Sequence, residues 1–113
     1  MNYDIRLMLD IYKTYDYDWF GEKITNINKL TKHHIIKREH GGENGISNYA
    51  LLLPSSHKYI HYLEEHDPET FDCINELFLE LNRSVAPPTK DYYFLIDRIK
   101  KRNHINVNIK KRR

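Results

Sequence analysis

Apolar side chains recur at helical spacing in three stretches of the chain. The first stretch covers residues 2 to about 15, and the second begins at Asp67-Pro68-Glu69, which offers an N-cap residue and a first-turn proline. The third follows Pro87-Pro88 and can be capped by Thr89. These patterns predict three amphipathic helices. Their apolar stripes are Ile5, Met8, Leu9 and Tyr12, then Phe71, Ile74, Leu77, Phe78 and Leu81, then Tyr92, Leu95, Ile96 and Ile99.

Between the first two helices the pattern changes to short apolar runs. Residues 33–36 and 49–53 read as two strands, and the glycine-rich residues 41–45 between them can form a tight loop. After Pro54, residues 55–65 are tolerant of a helix, and the two serines that open this segment are candidate N-caps. The predicted order is strand, loop, strand and helix.

Six of the seven histidines fall between positions 33 and 66. His57 and His61 are four residues apart, so on a helix both imidazoles share one face and can reach one metal ion. His33 can supply a third nitrogen. Neighbours on a strand point to opposite faces, so one of His33 and His34 stays free for acid–base chemistry. Three imidazoles that leave further positions open are typical of a catalytic metal site.

These elements in this order resemble the HNH (His-Asn-His) nuclease family, whose core is a ββα-metal motif. The resemblance implies an α+β fold in which a two-stranded hairpin and a metal-binding helix carry about three additional packed helices. The histidine-rich ligand set is most similar to the colicin-type branch, and short members of the family occur in phages and mobile elements. The matching residues are the His33-His34 pair, the Gly41-Gly42 pair, Asn48 before a leucine-rich strand, and His57-x-x-x-His61.

The resemblance also implies roles for these residues. His33, His57 and His61 would bind one divalent metal ion, while His34 would be the general base and Asn48 would brace the loop that orients it. The implied reaction is hydrolysis of a phosphodiester, in which the metal stabilises charge on the phosphate and on the leaving oxygen. Mg²⁺, Mn²⁺, Ni²⁺ and Zn²⁺ are all compatible with this pattern. Many family members also carry cysteine pairs for a structural zinc, whereas this chain has a single cysteine.

Basic side chains are concentrated near the C-terminus. Residues 67–97 hold seven acidic and two basic side chains, whereas residues 98–113 hold eight basic and no acidic ones. Such a cluster favours phosphate contacts because binding releases counterions, although a solvated run of charge is the alternative interpretation. Two further basic residues follow the first predicted strand, where they can reach a phosphate or stay in solvent. The expected nucleic-acid contacts are Lys37, Arg38, Lys100, Lys101, Arg102, Lys110, Lys111, Arg112 and Arg113.

Length and composition set the remaining bounds. A chain of 113 residues predicts one domain, residues 1–113, with a core motif at 31–66 and a basic segment at 98–113. The mean hydropathy of −0.75 indicates a soluble protein. The N-terminus has acids where a signal peptide needs an apolar core, and no apolar run is long enough for a membrane span, so we expect a cytoplasmic protein without a membrane partner. The single Cys73 excludes an intrachain disulfide, and we expect it in the core.

The expected function is therefore that of a metal-dependent HNH endonuclease, with DNA rather than RNA as the expected substrate. One alternative is a non-catalytic nucleic-acid-binding module that retains the scaffold, but such a module would not need His34 as a free base. The other alternative is a protein-interaction or inhibitor domain in which the metal only staples the fold. That alternative predicts metal-dependent folding without affinity for nucleic acid at moderate salt.

Overall fold

The structure is a computed structural model and describes residues 1–105 and residue 107. Within these residues it is an α+β fold, in which a two-stranded antiparallel sheet is surrounded by four α-helices. One helix follows the sheet directly and the other three pack around this unit, which confirms the predicted fold class. In chain order the elements are α1 Tyr3–Tyr12, β1 Thr31–His34, β2 Tyr49–Leu52, α2 Pro54–His66, α3 Pro68–Ser84 and α4 Lys90–Arg102.

Side-chain caps define the starts of the three surrounding helices. The Asn2 side chain accepts hydrogen bonds from two backbone N–H groups at the start of α1. Asp67 accepts from the Thr70 N–H at the start of α3, and Thr89 accepts from the Tyr92 N–H at the start of α4. These contacts satisfy N–H groups that have no partner inside the helix. The helix starts expected from Asp67-Pro68 and Thr89 are therefore confirmed.

The first strand lies about two residues earlier than the sequence pattern indicates. β1 begins at Thr31 and ends at His34, and its register pairs His33 with Ala50 and His34 with Tyr49. These limits follow from β2, which has four residues, so only four residues of β1 find a partner. Beyond β1, the Asn48 backbone oxygen still accepts from the N–H of Ile35 at 2.9 Å.

The start of α2 also differs from the prediction. The helix begins at Pro54 with Leu53 as the N-cap residue, and no side chain caps it, so the serines at positions 55 and 56 are not caps. The buried carboxylate of Asp18 instead accepts a hydrogen bond from the Leu53 N–H at 2.9 Å. The same carboxylate accepts from the backbone N–H groups of Phe20 and Glu22. Asp18 thereby ties the segment that follows α1 to the residue that precedes the histidine-bearing helix.

The core lies between the sheet and the helices. Trp19 and Phe20 are fully buried, as expected, and the Trp19 ring lies 4.8 Å from that of Tyr12 and 6.4 Å from that of Phe78. Two expectations are wrong. Leu95 is 44% exposed because α4 packs through its neighbouring face, and Cys73 is exposed because it points away from the apolar stripe of α3. Among the described residues, no helix has the length and apolar character needed to cross a bilayer.

Candidate metal centre

Three histidines converge between β1 and α2. His33 is buried on the side of β1 that faces the helices, and His57 and His61 lie one turn apart on α2. One ring nitrogen from each lies within 4.8 Å of the other two. The ring centroids of His57 and His61 are 4.9 Å apart, and the His33 centroid is 5.5 Å from that of His57. The structure thus brings together the three residues that were predicted to bind the metal.

The two helical histidines each have one nitrogen held by a neighbour. The Thr31 hydroxyl donates to the Leu52 carbonyl at 2.7 Å, so its oxygen accepts from Nδ1 of His57, which lies 2.8 Å away. Nδ1 of His61 lies 3.6 Å from a carboxylate oxygen of Glu64. Both contacts favour a proton on Nδ1. A neutral His57 therefore keeps its lone pair on Nε2, and histidine ligands in proteins typically donate a hydrogen bond from their other ring N–H in this way.

His33 is held by the helix α3 through Asn75. The Nδ2 group of Asn75 donates to the Ile35 carbonyl at 2.6 Å, which turns its amide oxygen toward His33. That oxygen lies 3.0 Å from Nε2 of His33 and can only accept a hydrogen bond. Nε2 of His33 therefore carries the proton, and Nδ1 keeps the lone pair.

Burial favours the neutral form of two of the three imidazoles, those of His33 and His57. It lowers the pKa of His33 to about 4, with a smaller contribution in the same direction from the two neighbouring histidines and an opposing one from the Asn75 hydrogen bond. Burial also lowers the pKa of His57, and His61 and His34 act in the same direction. A histidine must be neutral to bind a metal ion, so the folded protein holds both rings in the required form at neutral pH.

The donor set fits a divalent cation. One nitrogen from each of three imidazoles converges, and a ring nitrogen of His57 and one of His33 have hydrogen-bond partners. The site opens into a cavity of about 310 Å³, which leaves room for water and substrate beside the three nitrogens. Imidazole ligands suit Zn²⁺ and Ni²⁺ among common ions, and an incomplete ligand shell is typical of catalytic sites.

His34 lies on the opposite face of β1 and takes no part in the cluster. Its Nε2 is 2.8 Å from the amide oxygen of Asn44, and its ring lies edge-on to Tyr49 at 5.1 Å. With Nε2 as the donor, Nδ1 keeps a lone pair that no other described residue uses. The ring is half-buried and lines the same cavity as the three clustered histidines. This arrangement provides a proton acceptor beside the candidate metal centre.

Asn48 closes the loop between the strands. Its side-chain oxygen accepts from the Ile36 N–H at 2.9 Å, and its Nδ2 group donates to the carbonyls of Ile36 and Glu43 at 2.9 and 3.0 Å. The side chain thus takes the place of a strand partner where β1 ends. Among the described residues, the Asn48 side chain forms hydrogen bonds with backbone groups only. These bonds brace the loop that carries Asn44.

Lys37 and Arg38 lie at the rim of the cavity. Lys37 is 2.7 Å from a carboxylate oxygen of Glu64 and 3.7 Å from one of Glu39. The hydrogen bond from Lys37 is the main reason why the pKa of Glu64 is lowered. Arg38 is exposed and has no ion pair within the described part of the chain. Both cations line the cavity that also contains the three clustered histidines.

The basic residues of α4 do not form one surface. Lys100, one of the predicted nucleic-acid contacts, lies 2.6 Å from Glu22 and 2.8 Å from the Phe20 carbonyl, and its side chain is only 12% exposed. Its ammonium group instead ties α4 to the loop after α1. Lys101 is exposed and pairs with Asp97 at 3.2 Å, and Arg102 is exposed. The predicted contacts Lys110, Lys111, Arg112 and Arg113 lie outside the described residues.

Several supporting residues were missed by the sequence analysis, among them Asp18, Thr31 and Asn75. Of these three, only Asn75 left a signal, because it lies beside the apolar stripe of α3, one residue after Ile74 and three before Phe78. A polar residue on an apolar stripe marks a group with a hydrogen-bond partner. Asp18 and Thr31 left none, since their partners next to the site, the Leu53 N–H and the Leu52 carbonyl, lie 35 and 21 residues further along the chain.

Comparison with known proteins agrees with this geometry. Residues 19–63 match the family model described as HNH endonuclease, which spans both strands, the loop and the first ten residues of α2. Neither the search of curated proteins nor the search of solved structures returned a match. The match supports the resemblance to the HNH family seen in the His33-His34 pair, Asn48 and the His57–His61 spacing.

Proposed function

We propose that this chain is a metal-dependent endonuclease that hydrolyses phosphodiester bonds in DNA. The observation that carries the proposal is the contrast between two adjacent histidines at one cavity. His33 joins His57 and His61 in a cluster of converging ring nitrogens, whereas His34 lines the same cavity with a nitrogen that no other described residue uses. A binding module would need the first feature at most, while hydrolysis needs both.

His33, His57 and His61 would hold the metal ion. When bound there, a divalent cation stabilises negative charge on the phosphate and on the leaving oxygen. His34 supplies the complementary proton transfer. Its Nδ1 accepts a proton from the attacking water, and Asn44 holds the ring in place through Nε2. Asn48 supports this arrangement indirectly, because it ties the ends of the loop that carries Asn44.

Lys37 and Arg38 supply attraction for the nucleic-acid backbone. Both lie at the rim of the cavity, so a phosphate that contacts them also lies near His34. Lys37 is paired with Glu64, and a phosphate would compete with that carboxylate for it. Phosphate contacts position a duplex without reading its bases, so these residues give affinity rather than sequence preference. The C-terminal basic residues would add to the same electrostatic attraction.

A plasmid-nicking experiment tests the proposal. Purified protein is incubated with supercoiled plasmid in the presence of Mg²⁺, Mn²⁺, Ni²⁺ or Zn²⁺, and matched samples contain an excess of chelator. We expect relaxed or linear plasmid with at least one ion and none with the chelator. A structured RNA incubated in parallel compares the two substrate classes.

Two outcomes would contradict the proposal. Binding to plasmid without nicking by any of the four ions would indicate a nucleic-acid-binding module. Metal binding without affinity for either nucleic acid at moderate salt would indicate a domain in which the ion only stabilises the fold. Cleavage of RNA but not of plasmid would support the endonuclease activity and contradict DNA as the substrate.

A further inference from the structure

The helix α3 begins beyond the residues that match the family model, yet two of its side chains hold the hairpin that carries the site. Asn75 and Asn82 are seven residues apart and therefore share a face of the helix. Asn75 bonds to His33 and to the Ile35 carbonyl. Asn82 donates to the carbonyls at the other end of the loop, those of Ile46 and Tyr49, both at 2.8 Å.

The two asparagines differ in what they hold. Among the described residues, the Asn82 side chain donates hydrogen bonds to backbone oxygens only. It therefore positions the loop without a hydrogen bond to a ring. Asn75 uses its donor for backbone and its acceptor for the ring of His33. Because the donor is committed to Ile35, the amide cannot turn over without losing that bond. The hydrogen bond to His33 is therefore of one kind, with the imidazole as donor.

We propose that Asn75 is a positioning residue of the metal centre, which locks His33 with its proton on Nε2 and leaves Nδ1 as the nitrogen that binds the ion. The proposal rests on the proposed metal site. It makes the site depend on α3, which lies outside the matched residues. The part of the chain that matches the family model would then be insufficient to present all three nitrogens in the required form.

The residue type matters at this position. Asparagine is the shortest side chain that offers one donor and one acceptor in a fixed plane. Leucine has a similar volume but neither group, so it would leave the Nε2–H of a buried ring and the Ile35 carbonyl without partners. The His33 ring could then move its proton to Nδ1, where the lone pair is needed.

The test measures the tautomer of His33 by ¹⁵N NMR on protein with labelled histidines, and zinc affinity by calorimetry. In the metal-free wild type we expect the Nε2-protonated form, and on addition of Zn²⁺ the Nδ1 resonance should shift while Nε2 stays protonated. Asn75→Leu should populate the Nδ1-protonated form and weaken zinc binding by about 10- to 100-fold, as is typical when a partner of a metal-bound histidine is removed.

Asn82→Leu is the matched control. It removes a buried amide from the same face of the same helix, and the hydrogen bonds that this amide donates go to backbone carbonyls rather than to a histidine. We expect it to lower stability, to leave the His33 tautomer unchanged and to alter zinc affinity only slightly. Equal effects of both substitutions on the tautomer and the affinity would show that loop structure, and not the Asn75 contact, is responsible, and would overturn the proposal.

The wild-type spectra decide the matter even if Asn75→Leu fails to fold. Coordination of zinc through Nε2 of His33, or an Nδ1-protonated ring in the metal-free protein, would overturn the proposal directly. Absence of zinc binding by the wild type would overturn both this proposal and the metal-dependent mechanism. A protein that binds zinc through Nδ1 but does not nick plasmid would fail as a nuclease while the role of Asn75 stands.

Discussion

The two faces of β1 carry neighbouring histidines in opposite surroundings. On the inner face, which faces α2 and α3, His33 is 3% exposed and contacts His57, His61 and Asn75. On the outer face, His34 is half-buried and contacts Asn44 from the loop. The inner face is built from helices and the outer face from loop residues. Because side chains alternate along a strand, one step along β1 separates the cluster of three histidines from a histidine with an unused nitrogen.

One short strand can therefore serve two chemical purposes. Burial on the inner face removes the charge from an imidazole, which a metal ligand requires. Access on the outer face leaves a nitrogen open to water and substrate, which a general base requires. Substitutions that alter one face at a time separate these two roles.

Replacement of the outer histidine should abolish most of the cleavage. We expect His34→Ala to reduce the nicking rate by about 10²- to 10⁴-fold, the usual contribution of a general base, while zinc stoichiometry and DNA binding stay unchanged. His33→Ala should instead lose zinc binding, because it removes one of the three proposed ligands. The measurements are nicking rates and calorimetric zinc titrations of both variants.

His40→Ala is the control for this pair, because His40 is an exposed histidine in the same loop. It should cleave at the wild-type rate. Should His34→Ala release the metal while His33→Ala binds it normally, the roles of the two faces would be reversed. If neither substitution affects cleavage, the proposed mechanism is wrong.

A methyl group added to the loop on the outer face should destabilise the protein. A Cβ at Gly42 would lie 1.7 Å from the Ile36 carbonyl oxygen and 2.9 Å from the Asn48 amide nitrogen, so the backbone must move. Gly42→Ala should lower the free energy of unfolding by up to about 3 kcal/mol, the usual upper range for overpacking. Urea unfolding measures the change.

Gly45→Ala is the matched control in the same loop, because nothing lies within 4 Å of the added Cβ and the residue has an extended conformation at φ 162°. It should retain wild-type stability or gain about 0.5 kcal/mol from a stiffer unfolded chain. Equal stability of the two variants would contradict the close approach of the loop to Ile36.

Acid should destabilise the metal-free protein through the inner face. The pKa of His33 is about 4 in the folded protein and about 6.5 when unfolded, so between these values the unfolded chain binds the additional proton. Stability is therefore full above pH 6.5 and falls as pH decreases toward 4. From pH 7 to pH 5 the expected loss from this residue is about 2 kcal/mol.

Urea unfolding in the presence of chelator measures this loss. His33→Gln should unfold with a smaller pH dependence over the same interval, whereas His40→Gln should keep the wild-type dependence because His40 is exposed. His57, whose pKa is also lowered by burial, contributes in the same direction and leaves a residual slope in the His33 variant. An unchanged slope in His33→Gln would mean that His33 is not buried as a neutral ring.

The smallest effect concerns the rim of the cavity. Arg38→Gln should weaken binding to all duplexes alike and reduce the slope of log affinity against log salt concentration by about one, as expected for one lost phosphate contact. Arg83→Gln, at an exposed position in the last turn of α3, should leave the slope unchanged. Fluorescence anisotropy with labelled duplexes at several salt concentrations gives the slopes. Equal slopes for both variants would remove Arg38 from the interface.

Local patterns predicted much of the site. The spacing of His57 and His61 placed both rings on one helix face, and alternation along a strand separated His33 from His34. The caps at Asp67 and Thr89 were equally readable, because the partners of a cap lie within three residues along the chain. Such features depend on backbone periodicity, which a sequence expresses directly.

The limits of β1 and the fate of Lys100 could not be predicted in the same way. β1 ends opposite the first residue of β2, so its position is set by a partner that lies 15 or more residues away. Lys100 belongs to a basic run that reads as a phosphate-binding surface, but its partners Glu22 and Phe20 lie about 80 residues earlier. Charge density in a sequence does not reveal which cations are already paired.

The sequence alone predicted the order of elements, the resemblance to the HNH family and the identity of the clustered histidines. Only the tertiary structure decided their chemical state: which nitrogen of His33 carries the proton, and how far burial lowers its pKa. The physical reason is that periodicity assigns a side chain to a face, whereas its hydrogen bonds and its desolvation depend on what packs against that face. Here the packing partner of His33 is α3, whose Asn75 lies 42 residues further along the chain.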